Sequence, residues 1–194
     1  MVRRNVARIE KKAEQEGRII LFADEAGFYL LPFVVKTYAP KDKTPLLRHK
    51  LTREHLSVMS AISENCRIYV QIQKESFKGT NVVEFLRHLS RHIKDAIMLI
   101  WDGSSIHKSK DVKKFLAEEN NGKIHLETLP KYSPDLNPDE SIWHYLKCVA
   151  LKNVCCPNLK ILEKLLRQAI RKLRTKRMFC RGVSGGYLEF RYKR

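Results

Sequence analysis

The chain has 194 residues, enough for one domain of ordinary size. It carries 38 lysines and arginines against 21 aspartates and glutamates, a formal net charge of +17, and 43% of its residues are hydrophobic. That hydrophobic share supports a packed core and excludes a wholly disordered basic tail. The charge indicates a polyanionic partner, most often nucleic acid; the alternative is a protein that is simply basic.

Membrane, secreted and zinc-ribbon proteins do not fit the sequence. No apolar run approaches the roughly 18 residues that a membrane-spanning helix needs. The charged residues 1–12 lack the apolar stretch of a secretory signal, so we expect a cytoplasmic protein with no membrane partner. None of the five cysteines forms a C-x-x-C pair, which argues against a zinc finger and predicts reduced thiols.

The N-terminal half begins with a helical pattern and continues into strands. Residues 2–16 carry a thin apolar stripe at helical spacing, which predicts a connecting helix and not a core one. Residues 18–23 form a continuous apolar run, typical of a strand buried on both faces. We expect this strand to end at Asp24, with a turn at Gly27. Further strands are predicted at 28–39, 55–62 and 67–73.

The C-terminal half alternates helices with strands. The patterns predict helices at 81–93, 108–119, 138–151 and 159–173, and strands at 96–101 and 123–129. Val149 and Ile161 are assigned to the buried faces of the last two helices. Strands followed by this alternation favour an α/β fold whose mixed sheet has an antiparallel hairpin portion and parallel strands, flanked by helices. In such sheets the chemistry gathers at strand ends.

Two aspartates stand where buried strands are predicted to end. Asp24 follows the first apolar strand, and Asp102 follows the strand at 96–101. If those strands are neighbours, both carboxylates project from one edge, which is costly unless a cation lies between them. Mg²⁺ is the cation that most often takes such oxygen ligands. The alternative is that a polar residue merely ends each strand.

A third carboxylate, Glu140, lies at the start of a predicted helix. Asn137 is a good N-cap, Pro138 suits the first helical position, and Glu140 is three residues after the cap. This is the spacing of a capping box, in which Glu140 would only reach back to the backbone N–H of Asn137. That role leaves unexplained why two prolines, Pro134 and Pro138, fix the chain just before the acid.

Three sequence blocks carry a family resemblance. They are DEAGF at 24–28, WDGSSIH at 101–107 and LPKYSPDLNPDESIWHYLK at 129–147. They closely resemble the signature blocks of mariner-like DDE transposases, in the bacterial insertion-sequence branch, and the third block is highly specific. Residues 36–45 (KTYAPKDKTP) are similar to the basic hairpin of that family. The resemblance covers roughly residues 17–155.

The resemblance implies an RNase H-like catalytic core with a metal triad at Asp24, Asp102 and Glu140. It implies two Mg²⁺ ions, for which Mn²⁺ can substitute. Asp24 would bridge both ions, and Asp102 and Glu140 would each hold one. The implied activity is endonucleolytic cleavage at transposon ends, followed by strand transfer through attack of a 3′-OH on target DNA. The alternatives are an RNase H-type nuclease that does not transpose, and a DNA-binding remnant without catalysis.

The resemblance also implies partners and a division of the chain. The partners are double-stranded DNA, a second copy of the chain in an active homodimer, and a separate helix-turn-helix chain from an upstream frame, because the chain starts just before the core. We expect a nucleoid-associated protein. The expected units are a linker helix at 1–16, the catalytic domain at 17–155, and a basic helix and tail at 156–194 packed on the same domain.

Basic side chains are predicted to hold the DNA backbone. Phosphate contacts of this kind position a duplex without sequence readout. The candidates are Lys41, Lys43, Arg48, Lys50, Arg53, His107 and Lys131. His107 matches a family histidine that orients substrate or metal-bound water, or it is an ordinary loop histidine. A second basic strip at 160–177 either contacts DNA or is the solvated face of a helix.

The sequence departs from the family pattern at two positions. Gly103 stands where the family most often has Asn, and Asp139 stands where an apolar residue precedes the catalytic Glu. Helical phase places Asp139 closer than Glu140 to the buried stripe of its helix. We therefore expect Asp139 to point toward the edge of the core, where it would compete for metal or lower stability.

Overall fold

The protein is described from a computed structural model that covers residues 2–43, 45–48, 52–129, 136–175, 179–183 and 187–191. Its first half contains α1 (Val2–Gln15), β1 (Arg18–Tyr29), β2 (His55–Ser63), β3 (Ile68–Gln73) and α2 (Gly79–His92). Then follow β4 (Ala96–Trp101), a 3-10 turn (Ser105–Lys108), α3 (Lys110–Glu118) and β5 (Ile124–Thr128). The last elements are α4 (Asp139–His144), a π-helical segment (Tyr145–Ala150), α5 (Leu159–Thr175), β6 (Phe179–Val183) and β7 (Tyr187–Arg191).

Five strands form one mixed sheet in the order β3-β2-β1-β4-β5. β1, β2 and β3 pair antiparallel, whereas β4 runs parallel to β1 and β5 runs parallel to β4. The predicted α/β fold, with an antiparallel portion and a parallel portion, is confirmed. β6 and β7 form a separate two-stranded antiparallel pair.

Each face of the sheet is covered by its own apolar cluster. Alternation along β1 sends Leu21 and Ala23 to the cluster that contains the buried side chains of α2 and α3. Ile20 and Phe22 belong to the other cluster, with the buried side chains of α1, α4 and α5. The same alternation directs consecutive side chains at the end of β1 to opposite faces, which decides how the site is built.

β1 is longer than the sequence predicts. The strand continues through Asp24 and Gly27 to Tyr29, and every residue from Leu21 to Tyr29 is paired with β2. The expected end at Asp24 and the turn at Gly27 are therefore wrong. Beyond the apolar run, hydrogen bonding to the antiparallel strand β2 keeps the chain extended. Past Tyr29, the predicted strand at 28–39 is also wrong: the described part of 30–54 contains only an isolated bridge between Phe33 and Lys152.

Three helical predictions need correction. Ile9 and Ala13 of α1 are each only 1% exposed, so this helix packs on the core despite its thin stripe. Val149 is 49% exposed, contrary to prediction, because the helix widens into the π-helical segment, where the N–H of Leu151 bonds to the carbonyl of Leu146. Ile161 lies at the rim of its face and is 37% exposed, so its inward assignment is wrong as well.

Two further predictions concern cysteines and membrane helices. Cys66 is disulfide-bonded, so the prediction of reduced thiols is wrong for this residue, whereas Cys148, Cys155 and Cys156 are free. Pairings between cysteines far apart in sequence leave no spacing signal. None of the helices described here combines the length and apolar character needed to cross a membrane.

Candidate active site

The sheet brings Asp24 and Asp102 to one edge. β1 and β4 are parallel neighbours with Phe22 opposite Ile100, so the two aspartates follow at the same level. Glu140 lies in the first turn of α4, which packs on this end of β1. Burial raises the pKa of Asp24, and the charges of Glu140 and Asp102 add to the rise, in keeping with their positions near this carboxylate.

Asp24 is the most enclosed of the three carboxylates. Burial is the main cause that raises its pKa to about 6, and the charges of Glu140 and Asp102 act in the same direction. The indole Nε1–H of Trp143 donates a hydrogen bond to Oδ2 of Asp24 at 2.9 Å, which opposes the rise. Trp143 therefore holds the Asp24 carboxylate in one orientation and favours its charged form.

Asp102 and Glu140 are both open to solvent. The Asp102 side chain is 54% exposed, and its Oδ1 accepts a hydrogen bond from the backbone N–H of Ser104 at 2.9 Å. Glu140 is exposed at the start of α4. One enclosed and two open carboxylates leave the site accessible to a cation and to a large polyanionic substrate.

Asn137 caps the start of α4. Its side chain is buried, and its Oδ1 accepts a hydrogen bond from the backbone N–H of Asp139 at 3.2 Å. Asn137 thus supplies the predicted capping bond, although the helix begins at Asp139 and not at Pro138 as predicted. The contacts described around this turn include no return bond from the Glu140 carboxylate to Asn137, so the second half of a capping box is not formed. Glu140 is free to face the edge of the sheet.

Asp139 points into the core, as its helical phase predicts. It is 0% exposed, and its Oδ1 accepts a hydrogen bond from the hydroxyl of Ser60, which lies opposite Asp24 on β2. Its Oδ2 is buried and has no hydrogen-bond partner. Burial raises the pKa of Asp139 well above its ordinary value, and the nearby charges of Asp24, Glu140 and Glu25 add to the rise.

A second cluster lies on the other side of β1. Nε2 of His107 is 3.2 Å from Oε1 of Glu25 and 3.4 Å from Oδ1 of Asp102. Burial lowers the pKa of His107 to about 4. Burial, aided by the charges of Asp24 and Asp102, raises the pKa of Glu25 to about 8. His107 is 4% exposed, so its ring faces these carboxylates and not the molecular surface.

Sequence reasoning missed Glu25. Among the described residues, the donor atoms of Glu25, Asp102 and His107 form a group within 4.8 Å of one another, to which Asp24 and Glu140 do not belong. The signal was present in the alternation of β1, since a residue next to Asp24 must face the opposite side of the sheet. It was hidden because the strand was expected to end at Asp24.

The basic candidates lie mainly on the segment between β1 and β2. Lys41, Lys43, Arg48 and Arg53 are all exposed. Lys50 and Lys131 fall outside the described residues, as does the part of the third sequence block at 130–135.

The second basic strip is partly occupied within the fold. Along α5, Arg167 pairs with Glu163 at 2.7 Å and Arg174 donates to the backbone carbonyl of Ile68. These two guanidinium groups therefore serve the fold, while exposed lysines such as Lys160 and Lys164 remain available on that helix.

The donor atoms at this edge suit a divalent cation. The carboxylates of Asp24, Asp102 and Glu140 are hard oxygen donors of the kind that Mg²⁺ and Mn²⁺ take. Oε1 of Glu25 and Nε2 of His107 are buried without a hydrogen-bond partner. Such groups are costly unless a ligand compensates them, so the residues present fit a bound metal ion.

Comparison with solved structures identifies similar folds. A Mos1 transposase paired-end complex with the left transposon end is 18% identical, with a TM-score of 0.59 over 89% of this chain and 58% of that one. The catalytic domain of Mos1 mariner transposase is 16% identical, with a TM-score of 0.55 over 89% and 86% of the two chains. A simian T-cell lymphotropic virus intasome is 13% identical, with a TM-score of 0.56 over 87% and 51%.

These likenesses establish the RNase H-like fold that the sequence resemblance implied. The chain spans 58% of the Mos1 chain in the transposon-end complex. A comparison with curated proteins finds no match. The family model described as DDE superfamily endonuclease matches residues 19–163, which is most of the chain and includes all three predicted triad positions. The chain belongs to the DDE superfamily of endonucleases.

Proposed function

We propose that this chain is the catalytic domain of a transposase that cleaves DNA at transposon ends and joins the freed 3′ ends to target DNA. The observation that carries the proposal is geometric: Asp24 and Asp102 follow paired positions of β1 and β4, and Glu140 lies in the first turn of α4, whose Trp143 bonds to Asp24. These are the residues that the sequence resemblance assigns to the metal triad. Similar structures were solved as paired-end complexes with Mg and with Mn, which supports the same chemistry here.

The proposed reaction is two successive attacks on phosphodiesters. In the first, a water oxygen bonds to phosphorus and the bond to O3′ breaks, leaving a 3′-OH and a 5′-phosphate. In the second, that 3′-OH bonds to phosphorus in the target strand and releases a new 3′-OH there. Two divalent ions, when bound, activate the attacking oxygen and stabilise the leaving one.

The chain's own residues supply the frame for this chemistry. Asp24 is assigned to both ions, and the indole of Trp143 fixes the orientation of its carboxylate. Asp102 and Glu140, both exposed, would each hold one ion. We assign Mg²⁺ as the physiological cofactor, with Mn²⁺ as a substitute.

Double-stranded DNA is the proposed substrate and partner. The exposed side chains of Lys41, Lys43, Arg48 and Arg53 are proposed to contact DNA phosphates, and Lys50 and Lys131 are assigned the same role from the sequence. The role of His107 is proposed to lie at the metal site, because its ring is buried. We also propose that the active protein is a homodimer that works with a separate helix-turn-helix chain and associates with the nucleoid.

The domain division is also a proposal. Residues 17–155 are assigned to the catalytic domain, with 1–16 as a linker helix that packs on it through Ile9 and Ala13. Residues 156–194 are assigned to a basic C-terminal element of the same domain. Within that range, Leu162 and Leu166 of α5 belong to the same apolar cluster as α4.

The test is cleavage of terminal-repeat DNA from the sequence flanking the gene, with Mg²⁺ or Mn²⁺, with and without the product of the upstream frame. Asp24→Asn, Asp102→Asn and Glu140→Gln should each abolish nicking and strand transfer while the protein stays folded. Asp95→Asn is the matched control, because Asp95 is exposed immediately before β4 whereas Asp102 immediately follows it.

Each other outcome points to a different function. Cleavage without strand transfer would favour a non-transposing nuclease. DNA binding without metal binding would favour an inactive remnant. Normal cleavage by Glu140→Gln, with loss of cleavage in Asp139→Asn, would show that the third ligand is misassigned.

A further inference from the structure

The face of β1 opposite the Asp24 carboxylate holds a second set of metal-type donors. They are Oε1 of Glu25, a carboxylate oxygen of Asp102 and Nε2 of His107, all within 4.8 Å of one another. Each comes from a different local structure: the interior of β1, the residue after β4, and the 3-10 turn that follows it. The fold therefore builds this cluster from three directions.

Hydrogen bonding within the cluster does not satisfy its buried atoms. Nε2 of His107 is 3.2 Å and 3.4 Å from the nearest oxygens of Glu25 and Asp102, yet neither contact has hydrogen-bond geometry. Both ring nitrogens of His107 and Oε1 of Glu25 are buried without a partner, and of the two nitrogens Nε2 is the one that faces the carboxylates. The His107 side chain is only 2% exposed. An unpartnered buried nitrogen facing two carboxylate oxygens is an arrangement that suits a metal ligand set.

The spacing of the donors fits one small divalent ion. Adjacent ligands of an octahedral ion with bonds of about 2.1 Å are about 3 Å apart, close to the 3.2 Å and 3.4 Å between Nε2 of His107 and the two oxygens. The imidazole of His107 packs edge-on against the indole of Trp101, with 3.8 Å between the ring centroids, and this contact restricts rotation of the imidazole. The exposed side of Asp102 leaves room for water to complete the coordination.

We propose that Glu25, Asp102 and His107 form a divalent metal site that prefers a transition ion such as Mn²⁺ to Mg²⁺. An imidazole nitrogen suits first-row transition metals, whereas Mg²⁺ takes oxygen almost exclusively. The site shares Asp102 with the DDE triad and uses neither Asp24 nor Glu140. The proposal depends on the proposed function only through Asp102, because a metal ion can bind here whether or not the protein cleaves DNA.

Mn²⁺ alone is the probe, added to tag-free protein without DNA. Electron paramagnetic resonance gives the Mn²⁺ affinity, and pulsed measurements detect the coupling of a directly bonded imidazole ¹⁴N. Wild type should show that coupling. His107→Gln should abolish it, and Glu25→Gln should weaken Mn²⁺ binding at this site by about tenfold or more. His125→Gln is the control, since His125 also lies 3.3 Å from a carboxylate, that of Glu127.

Asp24→Asn separates this site from the triad. The ¹⁴N coupling should persist in Asp24→Asn, and Mg²⁺ should displace Mn²⁺ more easily from His107→Gln than from wild type. Mn²⁺ binding to wild type without ¹⁴N coupling would overturn the site and leave the triad standing. Coupling that disappears in Asp24→Asn, or that is lost equally in His125→Gln, would also overturn it. If circular dichroism shows that His107→Gln does not fold, the other two variants still test the site. Mn²⁺ binding should weaken in Glu25→Gln, and the ¹⁴N coupling should persist in Asp24→Asn.

Discussion

Replacing Asp139 with Asn should stabilise the protein at neutral pH. Asp139 is fully buried, one of its oxygens has no partner, and its neighbours Asp24, Glu140 and Glu25 are all acidic. An amide keeps the oxygen that accepts from Ser60 and places an NH₂ where the unpartnered oxygen was. The substitution thus replaces a carboxyl group that is surrounded by other carboxylates with an uncharged amide that can donate a hydrogen bond.

The size of the effect follows from linkage. Because the pKa of Asp139 is higher in the folded chain than in the unfolded one, the unfolded state loses its proton first as pH rises. Wild type therefore loses stability upward from about pH 4, by up to about 1.4 kcal/mol per pH unit until the folded pKa is reached. The advantage of Asp139→Asn should therefore grow as pH rises above about 4, and each kcal/mol gained should raise Tm by roughly 2–4 °C in a domain of this size.

Chemical and thermal unfolding of wild type and Asp139→Asn, in chelator and over pH 4–8, measure this directly. Asp95→Asn, at an exposed carboxylate, serves as the control and should show little change. The two proteins should be nearly equally stable at pH 4 and diverge as pH rises. If Asp139→Asn is the less stable protein at pH 8, Asp139 is a well-compensated carboxylate and the argument from burial fails.

Two other changes test the environment of the site. Trp143→Phe removes the hydrogen bond to Asp24 and should raise the pKa of that carboxyl above about 6. The acid limb of the pH profile of DNA cleavage should then move up by about one pH unit. An unchanged acid limb would refute the role of the indole. Neutralising Arg48, Lys50 and Arg53 together should reduce the slope of log K for DNA against log salt by up to about 3, and an equal slope would remove this segment from the interface.

The sequence was sufficient for the topology of the sheet. Apolar runs of strand length before Asp24 and Asp102 predicted buried strands, and the structure shows that β1 and β4 are parallel neighbours, an adjacency that the sequence alone had left as a condition. Local patterns predict these strands correctly because a strand buried on both faces requires apolar residues at nearly every position. The direction of Asp139 was likewise predictable, since the first turn of α4 keeps an ordinary helical phase.

What the sequence could not show depended on long-range partners. The extension of β1 past Asp24 requires β2, some 30 positions away, as its ladder partner. Glu25 became a site residue only through that extension, whereas His107 was already a candidate from the sequence. The exposure of Val149 results from the π-helical segment, whose wider turn carries no residue signal of its own.

Asn137 should matter more for catalysis than for stability. Its side chain caps the N–H of Asp139, and loss of such a cap costs about 0.5–2 kcal/mol, which a domain of this size can survive. Glu140 is the next residue, and fraying of this turn would displace its carboxylate. A shift of about 1 Å can lower a rate on the order of 100-fold, because Mg²⁺ demands near-ideal geometry.

Asn137→Ala should therefore lose cleavage activity far beyond its loss of Tm. Unfolding and Mg²⁺-dependent nicking are measured on the same preparation, so that activity is expressed per folded molecule. Asn158→Ala is the matched control, because the Oδ1 of Asn158 caps the N–H of Ile161 at the start of α5, away from the site. A cap acting only on stability would lower Tm in both variants and leave specific activity intact. Full specific activity in folded Asn137→Ala would mean that the entry to α4 does not set the position of Glu140, and the catalytic assignment of that carboxylate would lose its structural support.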